Sequence, residues 1–397
     1  MQNFSNGLHS LAVFRGLLTN PVMAKLLQYL DTDEYHLTTK LDAYSDFVSE
    51  LYKNGCDLGH YLYAKVMESE NPAVIEKAEG KNLSVALQKS LEQELALFTA
   101  ISSLSPVEMA PLQEGHFPEF ENTKHDFGAE YTKRLQEIHT RGYGIFTQYH
   151  MFTLSDSGQL LPVEHPEEKK LSDLTGYERE REQITINTEA LLKNLPSNNI
   201  LLYGDAGTGK SCTVKVLVNE YQEQGLRLIE IRKNQLYLIP ALMDRLAKNP
   251  LKFILFIDDL SFSSADQNFT DLKAILEGTV AARPKNIVIY ATSNRRHMVK
   301  QSFSERQGDD VHVGDTVEES ASLSARFGLT ITFLRPDKDL YAEIVEHLAV
   351  QNSIQLAGTA LLQAAEAHAS RQGGRSPRVA RQFVEYQKAK EITKISK

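Results

Sequence analysis

Apolar positions recur at three- and four-residue intervals through roughly the first 145 residues. Leu41, Tyr44, Phe47 and Leu51 form one such stripe, closed by Asn54–Gly55. Leu83, Leu87, Leu91, Leu95 and Phe98 form another, with polar residues between them. One face of a helix returns every 3.6 residues or so (about 3.6), so this spacing predicts amphipathic helices that pack on one another. Between Phe152 and Val163 the period drops to two around Asp156–Ser157–Gly158, which predicts a short hairpin. The charged, proline-bearing stretch EHPEEKKLSD follows and predicts a linker.

From Leu174 the pattern changes again. NILLYG, RLIEIRK, FILFIDD, NIVIYATSN and LTITFL are short apolar runs with the length and composition of strands. Several are apolar on both faces, as expected where helices cover both sides of a parallel sheet. Helical spacing fills the gaps in KSCTVKVLVNEYQEQG, stopped by Gly225, in IPALMDRLAK and in TDLKAILEG. After Pro336 only helical patterns remain: DLYAEIVEHLAVQN, TALLQAAEAHAS and SPRVARQFVEYQKAK. The chain therefore divides into a mainly helical domain at 1–150, a hairpin and linker at 151–170, an α/β parallel-sheet core at 171–335, and a helical lid at 336–397.

Composition narrows the class. A chain of 397 residues, 42% hydrophobic and 24% charged, has the balance of a soluble globular protein with more than one core. No apolar run approaches the roughly 20 residues that cross a bilayer, and the N-terminus has no basic first region, so we expect no export signal and no membrane partner. Two cysteines, Cys56 and Cys212, lack metal-ligand spacing and fit a reduced, cytoplasmic protein. The net charge of −9 argues against wholesale coating of nucleic acid, though a local basic patch remains compatible with it. His116 and His125 lie near each other without the spacing of a metal site, and ordinary packing or surface roles suffice for them.

The chemistry begins where the first strand of the core ends. NILLY runs into GDAGTGKS, Gly204 to Ser211, and then into a helix. This fits G-x-x-x-x-G-K-[ST] in the strand–loop–helix context that the motif requires. Glycines let backbone N–H groups of Gly204, Asp205, Ala206, Gly207, Thr208 and Gly209 wrap toward phosphate oxygens, and the helix N-terminus adds partial positive charge. Lys210 would reach the β- and γ-phosphates, Ser211 would ligate Mg²⁺, and Cys212 sits in the first turn beyond. A second strand, FILFI, ends in Asp258 and Asp259. Beside a phosphate loop, Asp258 would hold Mg²⁺ through water and Asp259 could orient an attacking water. Both features fall at carboxyl ends of strands, where open α/β sheets bind ligands.

Taken with these motifs, the sequence resembles AAA+ ATPases over residues 170–390. NIVIYATSNRRH is similar to the family's first sensor, with Asn294 in the sensing place. SLSARFGL resembles its arginine-finger box, with Arg326 as the finger. GGRSPRVARQF resembles its second sensor, with Arg378 as the γ-phosphate contact and Arg375 as the weaker candidate. LTGYERE resembles the segment that frames adenine, through Leu174, Gly176 and Tyr177. More narrowly, the combination resembles a group of bacterial AAA+-type ATP-binding proteins with no established function. Plain alternatives stand beside these roles: Arg326 and Arg378 as surface charges, and Arg295, Arg296 and His297 as a solvated basic cluster.

What the resemblance implies is an ATP- and Mg²⁺-dependent ATPase whose sites lie between subunits of a homo-oligomer, with Arg326 acting in trans. Such a machine remodels or loads a macromolecular client, protein or nucleic acid, that the helical N-terminal domain would recognise. Two departures matter. Most members carry Glu where this chain has Asp259, which draws the carboxylate back by about 1.5 Å; a misplacement near 1 Å can cost about a hundredfold in rate. Initiator and helicase-loader branches also resemble Asp-Asp carriers. No aromatic–apolar–Gly loop follows RLIEIRK, and Tyr237 fits helix packing better than polypeptide gripping. The alternatives are therefore a slowly or non-hydrolysing ATP-dependent switch, and a small-molecule P-loop kinase.

Overall fold

The computed structural model describes residues 2–33, 35–111, 117–260, 262–263, 267–277, 284–294, 299–300 and 325–395. His116 and the cluster Arg295, Arg296 and His297 lie outside the described residues, as does most of the segment expected to present Arg326. Two compact units divide the chain: residues 1–148 with 248–250, and residues 149–247 with 251–397.

The first unit is helical, as the three- and four-residue spacing predicts. Leu37–Tyr52 buries Tyr44, Phe47, Val48 and Leu51, and Val85–Ser102 buries Leu91, Leu95 and Phe98. Side-chain caps start several helices: Asp57, Asn71, Ser84 and Asp126 each accept a backbone N–H from the first turn. Such a cap satisfies a donor that the helix itself cannot pair. One buried carboxylate does the same work across the unit. Glu94 accepts the N–H groups of Ala12, Val13 and Phe14 at 2.9, 3.0 and 2.9 Å, which fixes the connection after the first helix.

The second unit is built on a seven-stranded sheet. Its strands are β1 (Met151–Leu154), β2 (Leu160–Pro162), β3 (Ile200–Gly204), β4 (Leu226–Glu230), β5 (Lys252–Ile257), β7 (Ile287–Ser293) and β9 (Leu329–Phe333). They lie in the order β2-β1-β4-β5-β7-β3-β9, parallel throughout except for the β1–β2 hairpin. Two further short strands, β6 (Phe262–Ser263) and β8 (Val299–Lys300), pair separately. Every residue of β7 is buried, as is all of β5 after Lys252, so both faces of the central sheet are covered. Burying a Val, Leu, Ile or Phe side chain contributes about 1.5–3 kcal/mol, which is why these strands read as unbroken apolar runs rather than alternating ones.

The hairpin, expected in the 151–170 segment ahead of the core, forms the edge of this sheet. Met151, Phe152 and Thr153 pair in parallel with Leu228, Ile229 and Glu230. The sequence shows the local two-residue period but not the distant partner that the strand joins. Three helices follow β9: Lys338–Gln351, Gly358–Arg371 and Pro377–Ile395. Tyr341, Ile344, Val345, Leu361, Ala365, Ala380 and Phe383 from these helices share one core cluster with Ile200, Val214 and Ile254 of the αβ part. A mostly parallel αβ core followed by three helices agrees with the α/β fold class and the C-terminal helices that the sequence predicts. In it, β5, β7 and β3 are neighbours, so their carboxyl ends bring Asp258, Asn294 and the Gly204 loop side by side.

Candidate nucleotide site

Strand β3 can turn into its loop only through glycine. Gly204 has φ +135, and a Cβ placed there would lie 2.0 Å from the carbonyl oxygen of Phe333 on β9. The chain then folds back on itself, with Gly207 at φ +79 and Gly209 at φ +96, and the helix Lys210–Tyr221 begins immediately after. Three consecutive turns through positive φ are what let a loop's N–H groups face inward.

Lys210 is 4% exposed, and its ammonium points back over the loop. It donates to the carbonyls of Gly204 and Asp205 at 3.1 and 2.7 Å and to Asn294 Oδ1 at 3.0 Å. Burial pulls this ammonium below the ordinary lysine value, while the carboxylates of Asp205, Asp258 and Asp259 act in the opposite sense. Asn294 turns its other end to the second carboxylate, Nδ2 donating to Asp259 Oδ1 at 2.7 Å. Ser211 Oγ donates to Asp258 Oδ1 at 2.6 Å. The glycine loop, the paired aspartates and the end of β7 thus form one hydrogen-bonded set.

These side chains line a cleft of about 490 Å³. Ala206, Gly207, Thr208, Gly209, Lys210, Ser211 and Cys212 form one wall, Asp258, Asp259 and Asn294 another, and Arg378 closes it from the lid; Leu174 and Tyr177 also line it. Gly204 and Asp205 do not line it, but their carbonyls accept from Lys210. Gly176 is not part of the lining: at φ +76, its place is against the lid, where an added Cβ would lie 2.7 Å from Leu340 Cδ1. Tyr177 has φ +62 and donates its hydroxyl to the Leu334 carbonyl at 2.7 Å. Its ring lies 5.3 Å from that of Phe333, and burial raises its phenol above the ordinary value. Cys212 is half-buried.

The lid meets the loop through backbone. The N–H of Arg378 donates to the Gly207 carbonyl at 3.2 Å, and a Cβ on Gly207 would lie 3.2 Å from both Arg378 Cβ and Ser376 Oγ. Arg375 is turned elsewhere, with Nε donating to Glu366 at 2.9 Å. Arg326 is half-buried and does not line this cleft.

Several residues here escaped the sequence. Arg335 holds the loop's Asp205 by its backbone N–H at 3.2 Å and its Nε at 3.3 Å, and gives Nη1 to the Gly373 carbonyl at 3.2 Å. Glu167, Arg181 and Arg381 line the cleft as well; Arg181 donates to the Leu174 carbonyl at 3.1 Å, and Arg381 lies 3.7 Å from Glu167. Arg381 lies within GGRSPRVARQF and Arg181 directly follows LTGYERE, whereas no local spacing links Glu167 or Arg335 to a motif.

The donor set suits a hard dication. Ser211 Oγ and Asp258 Oδ1 are neighbouring oxygen donors beside the glycine loop, and Mg²⁺ is typically bound through one or two carboxylates plus substrate phosphates. Among the described residues no group of three or more His, Cys, Asp and Glu side chains gathers into a protein-only metal cage. Nor, among those residues, is any helix long and apolar enough to cross a membrane.

The sequence family described as "Protein of unknown function (DUF815)" matches residues 147–391. No curated protein matches the chain. Among solved structures, the RuvB Holliday junction branch migration motor of Thermotoga maritima is similar at 16% identity and TM-score 0.38, covering 55% of this chain and 63% of that one. A mutant of the same motor aligns with TM-score 0.39, 16% identity and the same 55% of this chain, over 64% of its own length. The chain thus spans a little under two thirds of these structures.

Proposed function

The chain belongs to the DUF815 family, and we propose that it is a Mg²⁺-dependent AAA+ ATPase, using the cleft between phosphate loop, paired aspartates and lid to bind and hydrolyse ATP. The observation that best supports this is the single hydrogen-bonded set running from Lys210 through Asn294 to Asp259, beside Ser211 and Asp258. A phosphate loop alone could hold many anions. A loop whose lysine shares a sensor amide with a carboxylate can couple the terminal phosphate to an attacking water.

The division of labour follows from the donors. Loop N–H groups and Lys210 would bind the phosphates and neutralise charge that develops as the terminal group leaves. Ser211 and Asp258, the latter through water, would hold Mg²⁺, which would supply positive charge to offset that of the phosphates. Asp259 would orient water, with Asn294 holding its carboxylate. Leu174 and Tyr177 would flank the base. Arg378 enters from the lid, so its contact with the terminal phosphate would change the lid's angle on hydrolysis. Arg326 would complete a neighbouring subunit's site in a homo-oligomer, and the work would be done on a macromolecular client.

The binding half is tested with a fluorescent ATP analogue titrated into wild-type protein and Lys210→Ala. We expect saturable binding that Lys210→Ala weakens strongly. Arg326→Ala should bind ATP like wild type yet lose turnover, as removal of a trans-acting finger requires. Equal binding by wild type and Lys210→Ala would contradict the assignment of the loop.

A further inference from the structure

At the carboxyl end of β7, Thr292 is buried, 2% exposed, and its one hydroxyl is used twice. Oγ1 donates to Asp258 Oδ1 at 2.5 Å and accepts the backbone N–H of Asp259 at 2.9 Å. The same Asp258 oxygen receives Ser211 Oγ, so that carboxylate is gripped from the sensor strand on one side and the phosphate-loop helix on the other. Asp259 lies at φ +52, a region that costs most residues about 1–2 kcal/mol and that Asp enters more readily. Its N–H is held there by Thr292 and, at 3.1 Å, by Asp258 Oδ1. Its carboxylate then meets Asn294.

We propose that Thr292 is a positioning residue for both aspartates: it fixes the rotamer of Asp258 and stabilises the left-handed turn that carries Asp259 to Asn294. This rests on the nucleotide-site reading above and adds a residue of the cleft lining that supports both carboxylates. A group that orients a metal-ligating carboxylate is worth about 10–100-fold in metal affinity or activity. Valine matches threonine in shape but has no hydroxyl. It would leave Asp258 Oδ1 with Ser211 as its remaining side-chain donor and Asp259 N–H with Asp258 alone. Serine keeps the hydroxyl.

The test uses the full chain as wild type, Thr292→Val and Thr292→Ser. Mn²⁺ binding in the presence of a non-hydrolysable ATP analogue is followed by electron paramagnetic resonance. Analogue binding in EDTA and phosphate release with Mg²⁺ are measured alongside. We expect Thr292→Val to bind analogue in EDTA like wild type. Its Mn²⁺ affinity should fall about 10-fold or more, and kcat should fall with KM little changed. Thr292→Ser should recover most of both losses. Thr292→Val that holds Mn²⁺ and turns over like wild type would overturn the proposal. So would equal loss of analogue binding in both variants, which would mark Thr292 as a packing residue only. A wild-type protein that binds neither analogue nor Mn²⁺ fails at the nucleotide-site reading itself, and the inference falls with it.

Discussion

In the proposed ATPase, Asp259 is the residue that would orient the attacking water. By side-chain length alone it stands back from the place a glutamate would reach, and the sequence predicts slow chemistry on that ground. Its backbone changes the comparison. At φ +52 the residue is swung out of the strand direction, and its Oδ1 still lies 2.7 Å from Asn294 Nδ2. The shorter acid is therefore matched to the turn that carries it. Asp259→Asn keeps a residue that tolerates this conformation, so it should fold and bind ATP like wild type while phosphate release drops about a hundredfold. Asp259→Glu should lower stability by about 1 kcal/mol, because a longer side chain enters the left-handed region less readily, and should not raise turnover; thermal melts and phosphate release check both. The pair of aspartates was legible because strand end and carboxylates are adjacent in sequence. The turn was not, because the hydroxyl that holds it comes from another strand.

Among elements, the proposed coupling of nucleotide to lid would run through the connection between the glycine loop and the C-terminal helices. Arg335 follows β9 and joins Asp205 of the loop to Gly373, the turn that precedes the last lid helix. Gly374 beside it has φ +122, and an added Cβ would lie 2.9 Å from Arg335 Nη1. Arg335 and Asp205 are well exposed, 60% and 41%, so the ion pair contributes at most about 1 kcal/mol to stability. Arg335→Ala should therefore leave the melting temperature without nucleotide nearly unchanged. It should reduce the extra thermal stabilisation that ATP confers, because loop and lid would no longer move as one. Equal ATP-induced shifts in wild type and variant would contradict that role. Strands and helices of the αβ part were legible from apolar runs and helical spacing, since burial on two faces leaves a local signature. Arg335 carries no such signature, and the hairpin's place in the sheet depends on pairing with β4.

Across the whole molecule, charge is divided unevenly. Residues 1–148 hold 12 Lys and Arg against 20 Asp and Glu, while residues 149–397 hold 31 against 32. Nearly all of the net −9 belongs to the helical part. Such a field repels a phosphate backbone and favours basic surfaces. If the helical unit recognises the client, a basic protein fits it better than DNA or RNA. Asp259→Asn protein held in ATP and used for affinity capture should retain a partner that survives nuclease treatment and is released by raised salt. Release by nuclease would contradict this. Fold class could be read from the sequence because it follows from periodicity and the order of motifs. The client could not, because recognition depends on surfaces assembled from many segments, and periodicity describes only which side of each segment faces inward.

The central claim is that one cleft hydrolyses ATP through Lys210, Asp258 and Asp259. Phosphate release from ATP and Mg²⁺ by purified wild-type protein, Lys210→Ala and Asp258→Ala tests it most directly. Release by wild type that disappears in both variants and on chelation of Mg²⁺ is the predicted result. ATP that binds tightly but yields no phosphate in wild type, or release that persists in both variants, would contradict it.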